Sequence, residues 1–217
     1  MTAADVAELL SASAVTSGEI RRAAVHLPKP LRNSLYDDSS SEHRTAEGVF
    51  FEALIYEMIL AESETADCIT AVAAKFSDAE YVPYDKYSPD GLWYSKDGEI
   101  RFKVGGRVKA EMDLLVTTAD GVRVFAEIIV NPAKASGLGP EIAKKKQLLK
   151  QFYGEDPQFL LITASSLKEK PEFLMQNDAY AVVPAGNEAY LSIHPGEVLG
   201  KKLSPVFSSK RVDGKKW

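Results

Sequence analysis

The chain contains one cysteine, three histidines and two tryptophans in 217 residues. A lone Cys68 excludes an intramolecular disulfide and a Cys-x-x-Cys metal site. Beside Ile69 in an apolar stretch, it reads as a core thiol. His26, His43 and His194 form no His-x-x-x-His pair and no Ser/His/Asp pattern, which argues against zinc or triad chemistry. His26 and His194 each have a proline nearby in expected turns, and His43 falls in an irregular, exposed segment. No apolar run approaches the roughly 20 residues of a membrane span. Residues 1–5 lack the basic start of a signal peptide, so the expectation is a cytoplasmic protein without a membrane partner. There is no internal repeat and no low-complexity tract.

Acids outnumber bases, 31 to 26, giving a net charge of −5 that argues against indiscriminate nucleic-acid binding. The bases nevertheless cluster. Arg101, Lys103, Arg107 and Lys109 form one group, and Lys144, Lys145, Lys146 and Lys150 a second. Lys201, Lys202, Lys210, Arg211, Lys215 and Lys216 form a third. Each group reads as a solvated face or tail, with phosphate contact left open. Gly105-Gly106 is no phosphate loop, because no Gly-Lys-Ser/Thr follows and no helix opens there. Tyr81, Tyr84, Tyr87, Trp93 and Tyr94 read as cover for a long loop, with base stacking as the functional alternative.

Two short helices are expected over 3–12 and 18–27, the second capped by Thr16 or Ser17. They faintly suggest a helix-turn-helix that lacks its third helix. Pro28, Pro30 and the run 37–41 then mark an irregular connection. From 45 to 62, Phe50, Phe51, Leu54, Ile55, Met58 and Ile59 recur at helical spacing, with Thr45 as the expected cap. Residues 68–76 are a strand or a helix continuation, and 81–90 a loop. Hairpin signals follow: 91–95 with 99–104 around Lys96-Asp97-Gly98, then 109–118 with 122–131 around Ala119-Asp120-Gly121. A helix over 141–153 opens at Pro140 and closes at Gly154. Residues 158–163 form a buried strand, and 179–183 with 189–193 a final β pair. These elements give an α/β protein with a core over 45–165. A helical segment, 1–44, precedes it, and a β extension with a basic tail, 166–217, follows.

The costliest residues lie in the second hairpin. Asp113 and Glu127 interrupt runs that otherwise read as buried strands, and a buried carboxylate needs a cationic or hydrogen-bonding partner. A two-residue Asp120-Gly121 turn would set Asp113 opposite Ile128 and point Glu127 to the other face. A three-residue loop with Gly121 in the left-handed region pairs Thr118 with Val122 and sets Asp113 opposite Glu127 on one face. The second register is expected, since it suits the glycine and gives both acids a shared partner. Glu111 then lies on the acidic face, two residues before Asp113. A cation there would be held by Asp113, Glu127, Glu111 and the carbonyl of Ile128, an all-oxygen set suited to Mg²⁺ or Mn²⁺.

This arrangement resembles the PD-(D/E)xK nuclease superfamily. Asp113 matches the family's strand Asp, and Glu127 matches the first position of its Glu-x-Lys. Gly48-Val49-Phe50-Phe51-Glu52 looks like the Gly-x-x-Phe-Glu of the front helix in restriction-endonuclease-like members. The resemblance spans 45–165 and implies a four-stranded mixed core sheet flanked by helices. It also implies metal-dependent hydrolysis of nucleic-acid phosphodiesters, with DNA as the expected partner, and a homodimer where both strands are cut. Glu52 becomes the additional acid; Glu47 lies nearer the centre of the apolar helix face but in the first turn. The family lysine is replaced by Ile129. Along 141–153, Ile142, Leu148, Leu149, Phe152 and Tyr153 share a broad face that includes Lys145, while Lys144 and Gln147 point away and Lys146 sits at its edge. The resemblance implies that some members carry the lysine on this helix, which makes Lys145 the substitute. Two other readings stay open. One is a nuclease-fold protein that lost its chemistry and binds nucleic acid or protein. The other is a structural salt bridge of the acids with Lys109 or Lys145.

Overall fold

Capping begins the chain's order. Thr16 accepts from the Glu19 backbone while Glu19 accepts from that of Thr16, and Thr2 with Asp5 makes the same reciprocal box one helix earlier. A computed structural model describes residues 2–37, 39–75, 89–95, 99–131, 135, 137–154, 156–165, 167, 172–176 and 179–182. In chain order the elements are α1 (Ala3–Ala12), α2 (Ser17–His26), α3 (Lys29–Ser34), α4 (His43–Thr65) and β1 (Ile69–Ala74). Then come β2 (Gly91–Tyr94), β3 (Ile100–Val104), β4 (Arg107–Met112), β5 (Leu114–Thr118) and β6 (Arg123–Ile129). The last are α5 (Gly139–Tyr153), β7 (Gln158–Thr163), α6 (Glu172–Gln176) and β8 (Ala179–Val182).

Five strands form a mixed sheet in the order β1-β5-β6-β7-β8. β1, β5 and β6 are antiparallel neighbours, whereas β7 and β8 run parallel to β6. A parallel step needs a long crossover, and α5 supplies it between β6 and β7. Pro140 lies in the first turn of α5, where its missing N–H costs nothing, and Gly154 closes the helix at φ 72°. β2, β3 and β4 form a separate antiparallel sheet.

Strand alternation gives the main sheet two apolar faces. Leu114, Val116, Val124, Ala126, Leu160 and Ile162 pack with Val6, Leu10, Ile20, Phe50, Leu54 and Met58, so α1, α2 and α4 cover one side. Leu115, Phe125 and Phe159 pack with Ile142 and Leu149 of α5 and with Ile100 and Phe102 of the small sheet on the other. The helices of segment 1–44 therefore share the core of the main sheet. Glu57, fully buried on α4, fixes α2 by accepting from Arg22 Nε at 2.8 Å and pairing with His26 Nε2 at 2.5 Å.

Several expectations need correction. The strand expected over 109–118 is two strands, because the chain bends at Asp113 and passes from the small sheet to the main one. Alternation continues through the bend, so pattern alone hides it. The four-strand expectation becomes five strands plus three: β8 pairs with β7, and the proposed partner strand 189–193 lies outside the described residues. A third short helix, α3, follows Pro28, with Pro30 tolerated in its first turn. α4 begins at His43, so Thr45 lies within its first turn instead of capping it. His26 ends a helix and is mostly buried, His43 bonds the Ser34 carbonyl at 2.8 Å, and Cys68 sits at the core margin. The 68–76 ambiguity resolves to strand β1. Loop residues 81–88, turn residues 96–98, His194 and the C-terminal basic cluster lie outside the described residues.

Candidate active site

The hairpin between β5 and β6 decides how the two acids meet. Leu114 pairs with Ala126, Leu115 with Phe125 and Val116 with Val124. The Thr118 N–H donates to the Val122 carbonyl at 3.1 Å, and the Gly121 N–H to the Thr118 carbonyl at 2.9 Å. Gly121 has φ 80°, the left-handed conformation that a glycine adopts without a Cβ penalty. This is the three-residue loop. Carried one step past the last pair, its register sets Asp113 opposite Glu127, on the face of Leu115 and Phe125.

The bend at Asp113 follows from the same ladder. Alternate residues of β6 direct their N–H and C=O toward β5, and the Thr118–Val122 bond makes these Val124, Ala126 and Ile128. Ile128 lies beyond the end of β5, where no backbone carbonyl meets it. The carboxylate of Asp113 takes that place, with Oδ2 accepting from the Ile128 N–H at 2.8 Å. The Ile128 carbonyl is directed to the same side, beside Asp113.

Glu127 is 9% exposed. Its Oε1 accepts from Lys145 Nζ, which also reaches Glu141 at 2.9 Å, one turn earlier on α5. Lys145 is 3% exposed, on the sheet-facing side of α5 with Ile142 and Leu149, while Lys144 and Gln147 point to solvent. Burial lowers the Lys145 pKa, but the Glu127 carboxylate and then Glu141 outweigh it, so the amine stays protonated above its ordinary range. Burial first, then the charge of Asp113, pushes Glu127 up to about 8 despite Lys145. Burial likewise raises Asp113 against the lowering effects of the Ile128 hydrogen bond and Lys145. Glu52, on α4, is pushed up to about 7 by burial and next by Asp113, with Lys75 opposing and Glu99 adding. Three carboxylates thus share a small region with one buried ammonium, and their titrations belong to the group.

The remaining candidates take other positions. Glu111 precedes the bend, is 56% exposed at its side chain and pairs with Arg101 Nε at 3.0 Å, so it acts on Asp113 only through its field. Ile129 follows Glu127 on the same face and packs beside Ala135, Leu161 and Leu174, leaving no amine at the motif position. Glu47 pairs with His43 at 3.4 Å. Of the two lysines considered as structural partners, Lys145 meets Glu127 and Lys109 is exposed on β4. Lys103, grouped by sequence with a solvated face, is buried at 3% exposure. The Gly105 and Gly106 amides donate to Asp90 at 2.7 and 3.3 Å, an internal carboxylate in place of a phosphate. Sequence reasoning missed Glu141 as a partner of Lys145, although their i,i+4 spacing signals it. It also missed Lys75 and Glu99, which only sheet register brings to Glu52.

Among the described residues, no helix is long and apolar enough to cross a membrane. Among the same residues, no group of three or more His, Cys, Asp or Glu side chains is arranged to hold a metal ion. No protein-family model matches the chain, and no curated protein matches it significantly.

Proposed function

We propose that this protein is a divalent-metal-dependent nuclease of the PD-(D/E)xK type, acting on DNA, with Ile129 in the position of the motif lysine. The observation that carries the reading is Asp113 opposite Glu127 at the end of the β5–β6 hairpin, with Lys145 of α5 on Glu127 and Glu52 of α4 alongside. The order α4, β1, β5, β6, α5, β7 supports it, since those four strands and two helices follow the core that the resemblance implies. β8 then extends that core, and β2–β4 is an insertion between its first two strands.

The donor set suits Mg²⁺ or Mn²⁺. Asp113, Glu127 and the Ile128 carbonyl offer hard oxygen, and Mg²⁺ is usually held by one or two carboxylates with water and substrate oxygens completing the shell. The carboxyls outnumber the single buried ammonium, so a cation can take the place of the proton that burial keeps on them. A bound cation would supply positive charge to the phosphate and acidity to the attacking water. The chain's own groups do the rest. Lys145 holds Glu127 in place and compensates part of its charge. Asp113 fixes the Ile128 backbone through its N–H. Glu52, with a pKa near neutrality, is suited to take a proton from water at pH 7 and return it to the leaving oxygen. Cutting both strands of a duplex would engage two copies of the chain.

Asp113→Asn keeps an oxygen for the Ile128 N–H but removes the charge. With linear double-stranded and single-stranded DNA and 5 mM Mg²⁺, roughly a 10³-fold or greater loss of cleavage is expected, with the fold unchanged by circular dichroism. Equal turnover in that variant contradicts the assignment. One observation favours a second reading, a nuclease-like fold that binds nucleic acid or protein without cutting: Lys145 is engaged by both Glu127 and Glu141. DNA binding by the wild type without metal-dependent cleavage would support that reading.

A further inference from the structure

The acid cluster has a cationic neighbour on its other flank. β1 pairs with β5 so that Ala74 faces Leu114 and Ala73 faces Leu115. One step further, Lys75 falls opposite Asp113, on the face that Ala73 and Leu115 share. Across one level of the sheet the sequence of side chains is therefore Lys75, Asp113, Glu127. The two lysines beside these acids differ in kind. Lys145 is buried and engaged by two carboxylates, whereas the Lys75 side chain is 37% exposed and reaches Glu99 Oε1 only at 3.7 Å.

Glu99 is shared. Its Oε2 accepts from the Arg101 guanidinium at 2.5 Å, and Arg101 Nε lies 3.0 Å from Glu111, its cross-strand neighbour on β4. The result is an alternating chain, Lys75–Glu99–Arg101–Glu111, part-exposed along its length. Part-exposed pairs of this sort are weak, so an incoming anion can displace one at little cost. Glu99 lies between two cations, and a phosphate presents more charge and more acceptor oxygens than a carboxylate. Arg101 brings a planar fork of donors matched to phosphate oxygens, with Glu111 3.0 Å from its Nε, and Lys75 brings a point charge.

We propose that Lys75 and Arg101 form the phosphate-binding pole of the Asp113–Glu127 site, and that Glu99 is the internal anion which a nucleic-acid phosphate displaces. The ligand class rests on the nuclease reading above; the pole itself rests on the sheet register and the ion-pair chain. Lys75 and Glu99 both act on the titration of Glu52, which puts this chain of charges within reach of the acids. Lys75 also provides, from the strand on the far side of Asp113, the cationic charge that Ile129 does not.

The test is binding of a fluorescein-labelled 20-base-pair DNA by anisotropy, in EDTA so that cleavage plays no part. The wild type is compared with Glu99→Gln, the double variant Lys75→Ala/Arg101→Ala, and Lys75→Arg, across 50–300 mM salt. Glu99→Gln should bind about fivefold more tightly, a gain that a misfolded protein cannot produce. The double variant should bind at least tenfold more weakly, with a log–log salt slope shallower by about 1.8, the equivalent of two phosphate contacts. Lys75→Arg should bind like the wild type. Wild-type binding with no change in Glu99→Gln and in the double variant overturns the pole and leaves the nuclease reading standing. No binding by the wild type at the lowest salt overturns both.

Discussion

Glu127→Gln tests whether the acid cluster carries an extra proton at neutral pH. Burial, and then the charge of Asp113, raises the Glu127 carboxyl from its ordinary 4.5 to about 8. Between those values the folded chain holds a proton that the unfolded chain has released. Its stabilising contribution is complete below pH 4.5 and is lost as pH rises through 8, the reverse of a salt-bridged carboxylate with a depressed pKa. Each proton of difference gives a slope of about 1.4 kcal/mol per pH unit. Since Glu52, Asp113 and Glu127 titrate together, the net difference is taken as one proton. From pH 5.5 to 7.5 the wild type should then lose about 3 kcal/mol, or roughly 6–12 °C in midpoint for a domain of this size. The other shifted aspartates, Asp37, Asp90, Asp120 and Asp156, are all lowered. Their contributions fall away only below their ordinary 3.8, outside this window. In Glu127→Gln the amide cannot titrate, and Lys145 keeps Glu141 at 2.9 Å. Urea unfolding in EDTA at pH 5.5, 6.5, 7.5 and 8.5 gives the comparison, and the wild-type-minus-variant difference removes titrations common to both. That difference should fall by about 1.4 kcal/mol per unit up to pH 7.5. A flat or rising difference refutes the reasoning.

The remaining predictions are more direct. Mn²⁺ at 100 times its Kd should stabilise the wild type by about 2.7 kcal/mol. At one fixed Mn²⁺ concentration the gain in melting midpoint should be larger at pH 8 than at pH 6, because protons compete for Glu127 and Glu52; equal shifts at both pH values would contradict a site on these acids. Glu57→Ala should cost about 3 kcal/mol in urea unfolding, because it removes the fully buried carboxylate that accepts from Arg22 and pairs with His26. Its Mn²⁺ affinity should match that of the wild type, since the change lies in the α2–α4 contact, and a stability loss under 1 kcal/mol would contradict the packing described.

Local chemistry made part of this site readable before any coordinates. The Ala119-Asp120-Gly121 loop announced its register, because a glycine at the last loop position can take φ 80° and commit the strands to one pairing. Helical spacing put Lys145 among Ile142 and Leu149, and Gly154 marked where that helix stops. The bend at Asp113 stayed hidden, since Met112 and Leu114 are both buried and belong to different sheets, a tertiary fact that alternation does not record. Glu111 was misplaced for that reason: a continuous strand would have turned it toward Glu127, but the small sheet gives it to Arg101. Lys75 was invisible because its position depends on β1 pairing with β5, about 40 residues away, and β1 itself is too short for its period to separate strand from helix. Two prolines obscured α3, although a first helical turn accepts proline freely.

The most direct test of the central claim is an anomalous-difference map from a crystal of the wild-type protein soaked in Mn²⁺ near pH 8. A peak bonded at about 2.2 Å to carboxylate oxygens of both Asp113 and Glu127 and to the Ile128 carbonyl is the predicted result. Fully soaked crystals that carry no peak between those two carboxylates would contradict it.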